Sequence, residues 1–396
     1  MKVLYLAPEF PSAGSNAAQA RAKALLPRLA KRVDLRTMAF PLDPKDRELE
    51  AEVDFVACDR AEVGALQLAR TSVAGEIRAF SRFDTHSARD TLRNLLENFR
   101  PDIVHFDSIA MLAFLDQVRS ANPPPKAVAH THDAVSQLYK SVAFSGSVRS
   151  FMMYASEYLK IRRFEQTSLA NCEAVVVDSE EDAQFLRGQG SKDVFTIPIG
   201  VDTKRFSPEG PMADLGSPSI VFSGSMGAEQ SVDAAQFIVA DIMPRVWAQH
   251  PRAQVYIVGN APPKKVRALA DDRIHVTGFV DDLTAYLRAA DVYLCPLRLG
   301  SGMRTRVIEA LACGARVVAT PFAVRGLSKQ DGADTPWRTG EDAKALADAI
   351  LEVYESSGDK ERRDAADYAA AHFSWDAVAD MVAALYRRVD ADGLHG

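Results

Sequence analysis

The sequence predicts an α/β protein of two domains, each built around a parallel β-sheet. Short runs rich in β-branched residues alternate with longer amphipathic segments, and this pattern restarts near the middle of the chain. Alternating strands and helices form βαβ units, whose strands lie parallel. The length of 396 residues also exceeds the size at which a single hydrophobic core usually stops growing, so two domains are expected.

The predicted strands are mostly continuous apolar runs. Residues 174–177, Ala-Val-Val-Val, have no polar position, which indicates a strand covered on both faces, as in a parallel sheet. In the first half of the chain, strands are predicted at 2–7, 33–40, 53–58, 103–106, 127–131, 174–178 and 194–197. In the second half, they are predicted at 220–223, 254–258, 274–277, 292–295 and 316–320.

Helices are predicted between these strands. Residues 17–31 and 231–247 place apolar side chains at three- and four-residue intervals, which is the spacing of an amphipathic helix. Residues 199–217 are rich in glycine, proline and polar side chains, and a new strand follows them. We therefore expect the boundary between the two domains at this segment.

Composition narrows the class of protein further. The hydrophobic share of 47%, the charged share of 25% and the net charge of −6 are typical of a soluble globular protein and give no reason to expect a nucleic-acid partner. The four cysteines are widely spaced and form no Cys-x-x-Cys pair, so neither a disulfide framework nor a zinc site is expected. No stretch approaches the roughly 20 apolar residues of a membrane span, and the apolar N-terminal run is too short for a signal peptide. These features predict a cytoplasmic protein.

The most informative segment is 291–320, which is predicted as strand, glycine-bearing loop, helix, glycine stop and strand. Ligands of open parallel sheets bind beyond the carboxyl ends of the strands, where this loop would lie. Gly300 and Gly302 would let the backbone approach a ligand closely. Free N–H groups at a helix start attract an anion, and a diphosphate is the expected occupant. The residues expected to hold it are Ser301, Gly302, Met303, Arg304 and Thr305.

Charged side chains accompany this loop. Arg298, Arg304 and Arg306 would add positive charge near the anion, although not all three can face the same way. Glu309 lies one helical turn after Thr305, about 6 Å along the axis, which suits a ligand with phosphate at the helix start and ribose hydroxyls one turn on. The alternative is a surface glutamate paired with Arg304 or Arg306. We favour the ribose role.

This segment resembles the donor-nucleotide signature of glycosyltransferase family 4, whose members are retaining enzymes of the GT-B fold. The family pattern has two separated glutamates, followed by Ala-x-Ala-x-Gly and an apolar strand. Glu309 matches the second glutamate, which the resemblance implies holds the ribose, and Ser301 stands at the position of the first. The form Pro-Leu-Arg-x-Gly-Ser-Gly at 296–302, with Gly-Ser-Met at 224–226, is similar to a bacterial exopolysaccharide-associated branch that also lacks the first glutamate.

Further matches cover nearly the whole chain. Residues 198–208 are similar to the interdomain segment of the family, 278–283 to the region leading to the base-binding wall, and 373–388 to the terminal helix that returns to the first domain. The resemblance therefore implies two Rossmann-like domains whose parallel sheets face each other across a cleft. The acceptor-side domain would comprise 1–198 joined by 374–396, and the nucleotide-sugar donor domain would comprise 199–373.

A second departure from the family follows the strand predicted at 220–223. The common family form carries an arginine and a lysine there for the diphosphate, whereas this sequence has Ser225 and Gln230 in that neighbourhood. Gly224 keeps the backbone open at the predicted donor site. Phosphate binding would then depend on backbone N–H groups and on the arginines near residue 300.

The resemblance also implies roles for the first domain. The loop that contains Gly14 and Ser15 would face the donor. His132 follows the strand predicted at 127–131 and, as in family members, would lie near the sugar and the leaving phosphate. It could donate a hydrogen bond to charge that develops in the transition state. His130 is expected to point to the opposite face of the sheet, into the core, and His105 competes with His132 on position alone.

The implied activity is transfer of a sugar from a UDP- or GDP-linked donor to an acceptor hydroxyl, with retention, in bacterial polysaccharide or glycoconjugate synthesis. Arg298 or Arg304 would stabilise the departing charge. The donor is a co-substrate, and neither a cofactor nor a metal is expected, because arginines and helix dipoles can neutralise the diphosphate. The acceptor, whether a glycan, a lipid-linked compound or a protein, has no recognisable signature.

Other interpretations stay open. A nicotinamide-dependent oxidoreductase shares the α/β pattern, but no Gly-x-Gly-x-x-Gly follows an early strand. Ser301 and the missing Arg/Lys pair make a non-catalytic nucleotide-sugar-binding or scaffold protein conceivable, and a nucleotide-sugar epimerase shares the two-domain plan. Residues 139–163 are predicted as a basic, apolar helix that either packs on the first domain or lies on an anionic membrane, at the inner face of the plasma membrane.

Overall fold

The structure is a computed structural model, and it describes residues 1–9, 17–40, 53–59, 77, 80, 82–143, 148–299, 305–327, 335–356 and 358–391. The chain divides into two compact units. The N-terminal unit comprises Met1–Pro198 together with Val378–Gly396, and the C-terminal unit comprises Ile199–Ala377. Each unit contains one parallel sheet, so the predicted α/β fold class is confirmed.

The sheet of the N-terminal unit has seven strands, which pair in parallel. They are β1 (Lys2–Ala7), β2 (Asp34–Ala39), β3 (Asp54–Ala57), β4 (Ile103–Asp107), β5 (Lys126–His132), β6 (Ala174–Val177) and β7 (Val194–Thr196). Their order across the sheet is β3-β2-β1-β4-β5-β6-β7. Every residue of β4 and β6 is buried, because helices cover both faces of a parallel sheet.

Helices connect these strands on both sides of the sheet. They are α1 (Ala17–Ala30), α2 (His86–Phe99), α3 (Leu115–Arg119), α4 (Val135–Ala143), α5 (Val148–Leu169) and α6 (Glu180–Gly188), and a 3₁₀ helix, Ile109–Phe114, leads into α3. α2 shows why the segments are helical. Thr85 caps its first turn through a side-chain hydrogen bond from the Ala88 N–H, and Leu92, Leu95 and Phe99 form its buried stripe.

The C-terminal unit has a six-stranded parallel sheet. Its strands are β8 (Ser219–Ser223), β9 (Gln254–Val258), β10 (Ile274–Gly278), β11 (Val292–Cys295), β12 (Val317–Ala319) and β13 (Trp337–Thr339). Their order is β10-β9-β8-β11-β12-β13. The sequence did not predict β13, because three residues, one of them charged, give no apolar run; the strand forms by pairing with β12.

The helices of this unit are α7 (Glu229–Phe237), α8 (Met243–Trp247), α9 (Lys264–Arg267), α10 (Leu283–Ala289), α11 (Thr305–Ala312), α12 (Ala343–Glu355) and α13 (Gly358–Phe373). The helix predicted at 231–247 is continuous, with a π-helical turn at Ile238–Ile242 between α7 and α8. The last helix, α14 (Trp375–Ala391), begins in the C-terminal unit and continues into the N-terminal unit from Val378.

Both sheets share one topological feature that positions a site. In each, the first strand lies between the second and the fourth, so the chain turns to opposite sides of the sheet at the first-to-fourth strand pair. The crevice beyond the carboxyl ends of the strands at such a switch point is where α/β proteins bind ligands. The pairs are β1 with β4 and β8 with β11.

Candidate functional site

A cavity of about 310 Å³ lies beyond the carboxyl ends of β8, β9 and β10 in the C-terminal unit. Three loops form most of its wall: residues 223–225 at the end of β8, 258–260 at the end of β9, and 279–283 after β10. Arg306 and Glu309 of α11 close one side, and Arg205 contributes from the segment before β8. This volume is within the range of small-molecule sites.

Two glycines shape the cavity where β8 and β9 end. A Cβ atom on Gly259 would lie 1.7 Å from the Gly224 carbonyl oxygen, and Gly259 has a φ of +156°, so only glycine fits. A Cβ atom on Gly224 would lie 2.8 Å from Ser231 Oγ and 2.9 Å from Arg306 Nη1. Neither strand end therefore carries a side chain at these glycines, and the Arg306 guanidinium lies directly beside the end of β8.

Charged side chains border this cavity without neutralising one another. Arg205 and Arg306 supply two cations, and Asp281 and Glu309 supply two carboxylates. Within the described part of the chain, none of these four side chains forms an ion pair with an oppositely charged side chain within 4.0 Å. Such groups retain their capacity to bind a polar ligand.

Glu309 has the most unusual environment of the four. It lies in mid-helix between the buried Ile308 and Ala310, and no hydrogen-bond donor contacts its carboxylate among the described residues. Burial raises the pKa of Glu309 to about 7, although Arg306 and Arg205 oppose this shift. A desolvated carboxylate gains most from a ligand that brings its own hydroxyl donors.

The structure brings together some of the predicted donor residues and leaves others apart. Glu309 and Gly224 line the cavity, and Thr305 begins α11 outside the lining. The Arg298 guanidinium bonds both carboxylate oxygens of Asp233, at 3.1 and 2.7 Å, and lies over the Phe237 ring at 4.0 Å, so it does not reach the cavity lining. The remaining predicted residues, Ser301, Gly302, Met303, Arg304, Gly14 and Ser15, lie outside the described residues.

The sequence did not single out Arg205. It lies in the segment 198–208, which was noted as a match to an interdomain segment, but no local signal tells which of its basic side chains borders a cavity. Arg205 and Arg306 supply two cations on the cavity wall, which is the kind of charge that the family form takes from an arginine and a lysine after β8. Ser225 and Asn260 add neutral polar groups.

A second charged group lies in the N-terminal unit at the ends of β4, β5 and β6, on the other side of the switch point from the strands that match those of the cavity, and it is largely buried. We call it the buried cluster: Arg21 of α1, Asp107 of β4, His130 and His132 of β5, and Asp178 after β6. Arg21, 3% exposed, forms hydrogen bonds of 2.9 and 3.2 Å to the Asp178 carboxylate. The Arg21 guanidinium also contacts ring nitrogens of His130 and His132, at 2.8–2.9 Å.

The pKa values of the two histidines of this cluster are shifted in opposite directions. Burial and the Arg21 charge lower the pKa of His130 to about 3. The same two effects oppose protonation of His132, but Asp107, whose Oδ1 is 2.9 Å from His132 Nε2, and Asp178 raise its pKa to about 9. Arg21 and protonated His132 then balance Asp107 and Asp178. The 2.8 Å approach of Arg21 Nη1 to His132 Nδ1 is a close contact rather than a hydrogen bond, because both ring nitrogens of a protonated histidine carry hydrogens and neither can accept.

This geometry corrects one expectation and refines two others. The expectation that His130 points away from His132 is wrong: the two rings lie 4.4 Å apart, at a point where the register of β5 shifts and His132 adopts a φ of +65°. Both ring nitrogens of His132 face groups of the cluster, although 22% of its side chain is exposed. His105 is core: its ring stacks on Tyr5, and its Nδ1 accepts a 2.8 Å hydrogen bond from the Tyr386 hydroxyl of α14.

Two sets of side chains in the described residues come close enough to share a cation. One is His105, Asp107 and His130, and the other is His130, His132 and Asp178. Arg21 already occupies the space between the members of the second set. A cation there would have to displace a guanidinium that is almost completely buried.

The basic segment 139–163 was predicted as one helix, but it comprises parts of two helices, α4 and α5. Residues 144–147 lie outside the described residues. In the described part of α5, Ile161 is buried in the core of the N-terminal unit, while Arg162 and Arg163 are exposed and Leu159 is 62% exposed. None of the described helices has the length and apolar character needed to cross a bilayer.

Two parallel sheets of Rossmann strand order, one with a cavity at its switch point, define the class of two-domain α/β proteins that includes the GT-B glycosyltransferases. Comparison with known protein families agrees with this class. Residues 18–205 match the model of Glycosyltransferase Family 4, and residues 217–356 match that of Glycosyl transferases group 1. The chain belongs to glycosyltransferase family 4.

Several curated relatives of this chain come from mycobacteria. A phosphatidyl-myo-inositol mannosyltransferase of Mycobacterium tuberculosis is 29% identical over 218 residues, which is 51% of this chain and 56% of the relative. A D-inositol 3-phosphate glycosyltransferase of Mycobacterium leprae is 26% identical over 249 residues, 58% of this chain and 57% of the relative. The matched part of the chain thus spans about half the length of these relatives.

Solved structures agree on the fold. The sucrose-phosphate synthase of Thermosynechococcus elongatus has a TM-score of 0.65 at 20% identity, with 98% of this chain and 99% of that chain covered. HepE of Anabaena, solved in complex with UDP-glucose, has a TM-score of 0.57 at 14% identity, with 98% and 100% covered. At this level of identity, the likeness extends to the fold alone.

Proposed function

We propose that the protein transfers a sugar from a nucleoside diphosphate sugar to an acceptor hydroxyl, and that the cavity of the C-terminal unit holds the donor. One observation carries this proposal. The Glu309 carboxylate, desolvated and without a hydrogen-bond donor among the described residues, borders the same cavity as Arg205 and Arg306. A nucleoside diphosphate offers the complementary groups, which are ribose hydroxyls for the carboxylate and phosphate oxygens for the guanidinium groups.

The strand order suggests how the donor lies. α11 follows β11, which neighbours β8, so the diphosphate belongs near the start of α11 and the bare end of β8. Glu309 is one helical turn further along α11 and would accept hydrogen bonds from the ribose. The base then extends toward the loop after β10, where Phe279, Val280 and Leu283 offer an apolar wall.

The chemistry requires stabilisation of the leaving diphosphate. The bond between the anomeric carbon and the phosphate oxygen breaks, and the acceptor oxygen bonds to that carbon. The acceptor's proton leaves with the diphosphate. Fixed guanidinium groups stabilise the negative charge that develops, so Arg306 and Arg205 join the predicted Arg304 in this role, whereas Arg298 is held by Asp233 outside the cavity lining. We retain His132 as a residue needed for turnover and retention as the stereochemical course, as the family resemblance implies.

For the acceptor we propose only a chemical class, a compound with a free hydroxyl group. The mycobacterial relatives carry names that include a phosphoinositide lipid and an inositol phosphate, and bacterial polysaccharide or glycoconjugate intermediates are comparable hydroxyl acceptors. The exposed Leu159, Arg162 and Arg163 of α5 would suit contact with an anionic membrane. Co-sedimentation with vesicles tests this contact: equal, negligible binding with and without anionic lipid would rule it out.

Thermal unfolding with UDP, GDP, ADP, CMP and NAD tests the donor site. A ligand at 100 times its dissociation constant stabilises the fold by about 2.7 kcal/mol. We expect stabilisation by a nucleoside diphosphate in the wild type and its loss in Glu309→Ala. Stabilisation by NAD alone, or by no ligand in a folded protein, would contradict the proposal.

Turnover distinguishes the enzyme from its alternatives. Release of nucleoside diphosphate from matched nucleotide sugars, with acceptor extracts from bacterial envelopes, supports a transferase, and NMR of the product gives the anomeric configuration. Ser301 at the position of the first family glutamate favours a binding protein without activity as the second candidate. Tight nucleotide binding without turnover across donors would support that candidate, and release of an epimerised sugar would support an epimerase.

A further inference from the structure

The cavity wall beyond β10 combines an aromatic ring with a carboxylate. Phe279 lines the cavity although it is 76% exposed, an unusual position for so large an apolar side chain. Asp281 lies two residues later in the same wall. A flat heterocycle with polar edges would cover the ring and meet the carboxylate, which is the chemistry of a nucleobase.

Strand order separates this wall from the phosphate end of the cavity. β10 is two strands from β8, and neighbouring strands lie about 4.8 Å apart, so the two walls are separated by roughly 10 Å. A nucleoside diphosphate bound with its phosphates beside β8 and its ribose on Glu309 can therefore place its base at the β10 wall.

The two adjacent aspartates of this loop have different partners. Asp282 caps α10: its Oδ1 accepts hydrogen bonds from the Thr284 N–H at 2.9 Å and the Thr284 hydroxyl at 2.6 Å. Asp281 forms no hydrogen bond or ion pair with any described residue. Helix capping thus accounts for Asp282, whereas the Asp281 carboxylate keeps both oxygens available at the base end of the cavity.

We propose that Asp281 selects guanine, so that the donor is a GDP-sugar. An ionised carboxylate only accepts hydrogen bonds. Guanine presents two adjacent donors on its Watson–Crick edge, N1–H and the N2 amino group. Uracil presents one N–H between two carbonyl oxygens, and adenine and cytosine each place an acceptor nitrogen beside their amino group. This inference rests on the proposed donor site, and it goes beyond it by naming the base.

Calorimetric titration of GDP and UDP tests the inference on the full chain. A good bidentate pair discriminates between bases by about tenfold or more. We therefore expect GDP to bind at least about tenfold more tightly than UDP in the wild type. Asp281→Asn presents one donor and one acceptor, which suits uracil, so this variant should lose the preference for GDP and gain affinity for UDP. Asp272→Asn removes another exposed carboxylate of the same unit, outside the cavity lining, and should leave both affinities unchanged.

The outcomes separate the two proposals. If neither nucleotide binds the folded wild type, the donor site itself is wrong. If UDP binds as tightly as GDP or more tightly, or if Asp281→Asn keeps the wild-type ratio, the guanine assignment is overturned while the donor site stands. Circular dichroism of each variant confirms folding, and the unchanged Asp272→Asn affinities exclude a general effect of lost negative charge.

Discussion

In the N-terminal unit, charged side chains beyond β4, β5 and β6 pair with one another, whereas in the C-terminal unit those beyond β8, β9 and β10 border a cavity. The two sheets have the same order up to their sixth strand, and the two groups lie on opposite sides of the switch point: the cavity is at the ends of the first three strands of its sheet, and the buried cluster is at the ends of the fourth to sixth strands of the other. Arg21 contacts Asp178 and both histidines, while Arg306 and Glu309 have no hydrogen-bonding or ionic partner among the described residues.

The difference shows two ways in which this fold accommodates charged side chains at the ends of its strands. Bare glycines keep the ends of β8 and β9 open, so Arg306 and Glu309 border a volume that protein atoms do not fill. In the other unit, histidine and aspartate side chains at the ends of β4, β5 and β6 pair with Arg21 and with one another. Polar groups satisfied within the protein stabilise it, and unsatisfied ones at a cavity are available to a ligand.

The largest expected effect is on stability, in the buried cluster. Arg21→Met leaves Asp107 and Asp178 buried without their cation, which should cost about 3–5 kcal/mol in the free energy of unfolding. Urea unfolding of the wild type and the variant measures this loss of stability. Arg36→Met, which removes the exposed Arg36–Asp54 pair of 2.7 Å, is the matched control and should cost less than about 1 kcal/mol. Similar losses in both variants would contradict the contrast between buried and exposed charge.

The second prediction concerns pH. Because the folded-state pKa of His132 is raised to about 9, its protonation stabilises the fold fully below pH 6.5, and this contribution is lost as the pH rises through 9. The difference in unfolding free energy between wild type and His132→Gln should therefore shrink by about 2–3 kcal/mol from pH 6 to pH 9.5. Nitrogen-15 NMR of the imidazoles provides the direct measurement. A neutral His132 at pH 7.5, or a charged His130 at pH 5, would refute the assignment.

The third prediction applies to Glu309, with opposite signs for binding and stability. Glu309→Gln should weaken nucleoside diphosphate binding by about 10–100-fold, because a charged acceptor of hydrogen bonds is lost. The folded pKa of about 7 lies above the unfolded value of 4.5, so the carboxylate destabilises the fold increasingly as the pH rises through this window. The variant should thus be more stable than the wild type by about 1–2 kcal/mol at pH 8.5 and nearly equal at pH 5.

Calorimetry for binding and denaturant unfolding at both pH values test these expectations. Glu229→Gln, on an exposed first turn of α7 and outside the cavity lining, is the control and should change neither quantity. Unaltered nucleotide affinity in Glu309→Gln would remove the main support for the cavity as a donor site.

The smallest expected effect compares two arginines near residue 300. Arg306 lines the cavity, so Arg306→Ala should weaken nucleoside diphosphate binding by about tenfold, the value of one hydrogen bond to a charged group. Arg298 is held by Asp233 and Phe237, so Arg298→Ala should change the affinity by less than about threefold. A larger loss for Arg298 would show that it leaves Asp233 when the donor binds.

Much of the fold could be predicted because its signals are local. Continuous apolar runs gave the bounds of β1, β9 and β11, and the glycine- and proline-rich segment marked the change of unit near residue 199. β13 was missed because a three-residue strand depends on pairing with β12 rather than on its own composition. The place of Glu309 at a cavity could be predicted because the strand, the helix and the glutamate lie within one short segment of the sequence, whereas its ribose-binding role stays a prediction.

The choice among charged residues could not be predicted in this way. Nothing in the local sequence separates Arg306, at the cavity, from Arg298, which pairs with Asp233 across 65 residues of sequence. Arg205 and Asp281 reach the cavity wall only because β8, β9 and β10 lie side by side. The face of His130 relative to His132 was mispredicted, and no regular strand period could give it, because the register of β5 shifts between the two residues and His132 has a φ of +65°.

The sequence by itself determined the α/β class, the number of units, the family and the segment that carries Glu309 at the cavity, because periodic burial and short-range motifs are properties of neighbouring residues. The tertiary structure decided which charges are satisfied within the protein and which remain at a cavity. Arg21 and Asp178 are 157 residues apart in sequence, and their pairing depends on the packing of α1 against the ends of β4, β5 and β6. Such pairing is set by distances of a few ångströms between side chains that only the folded chain brings together.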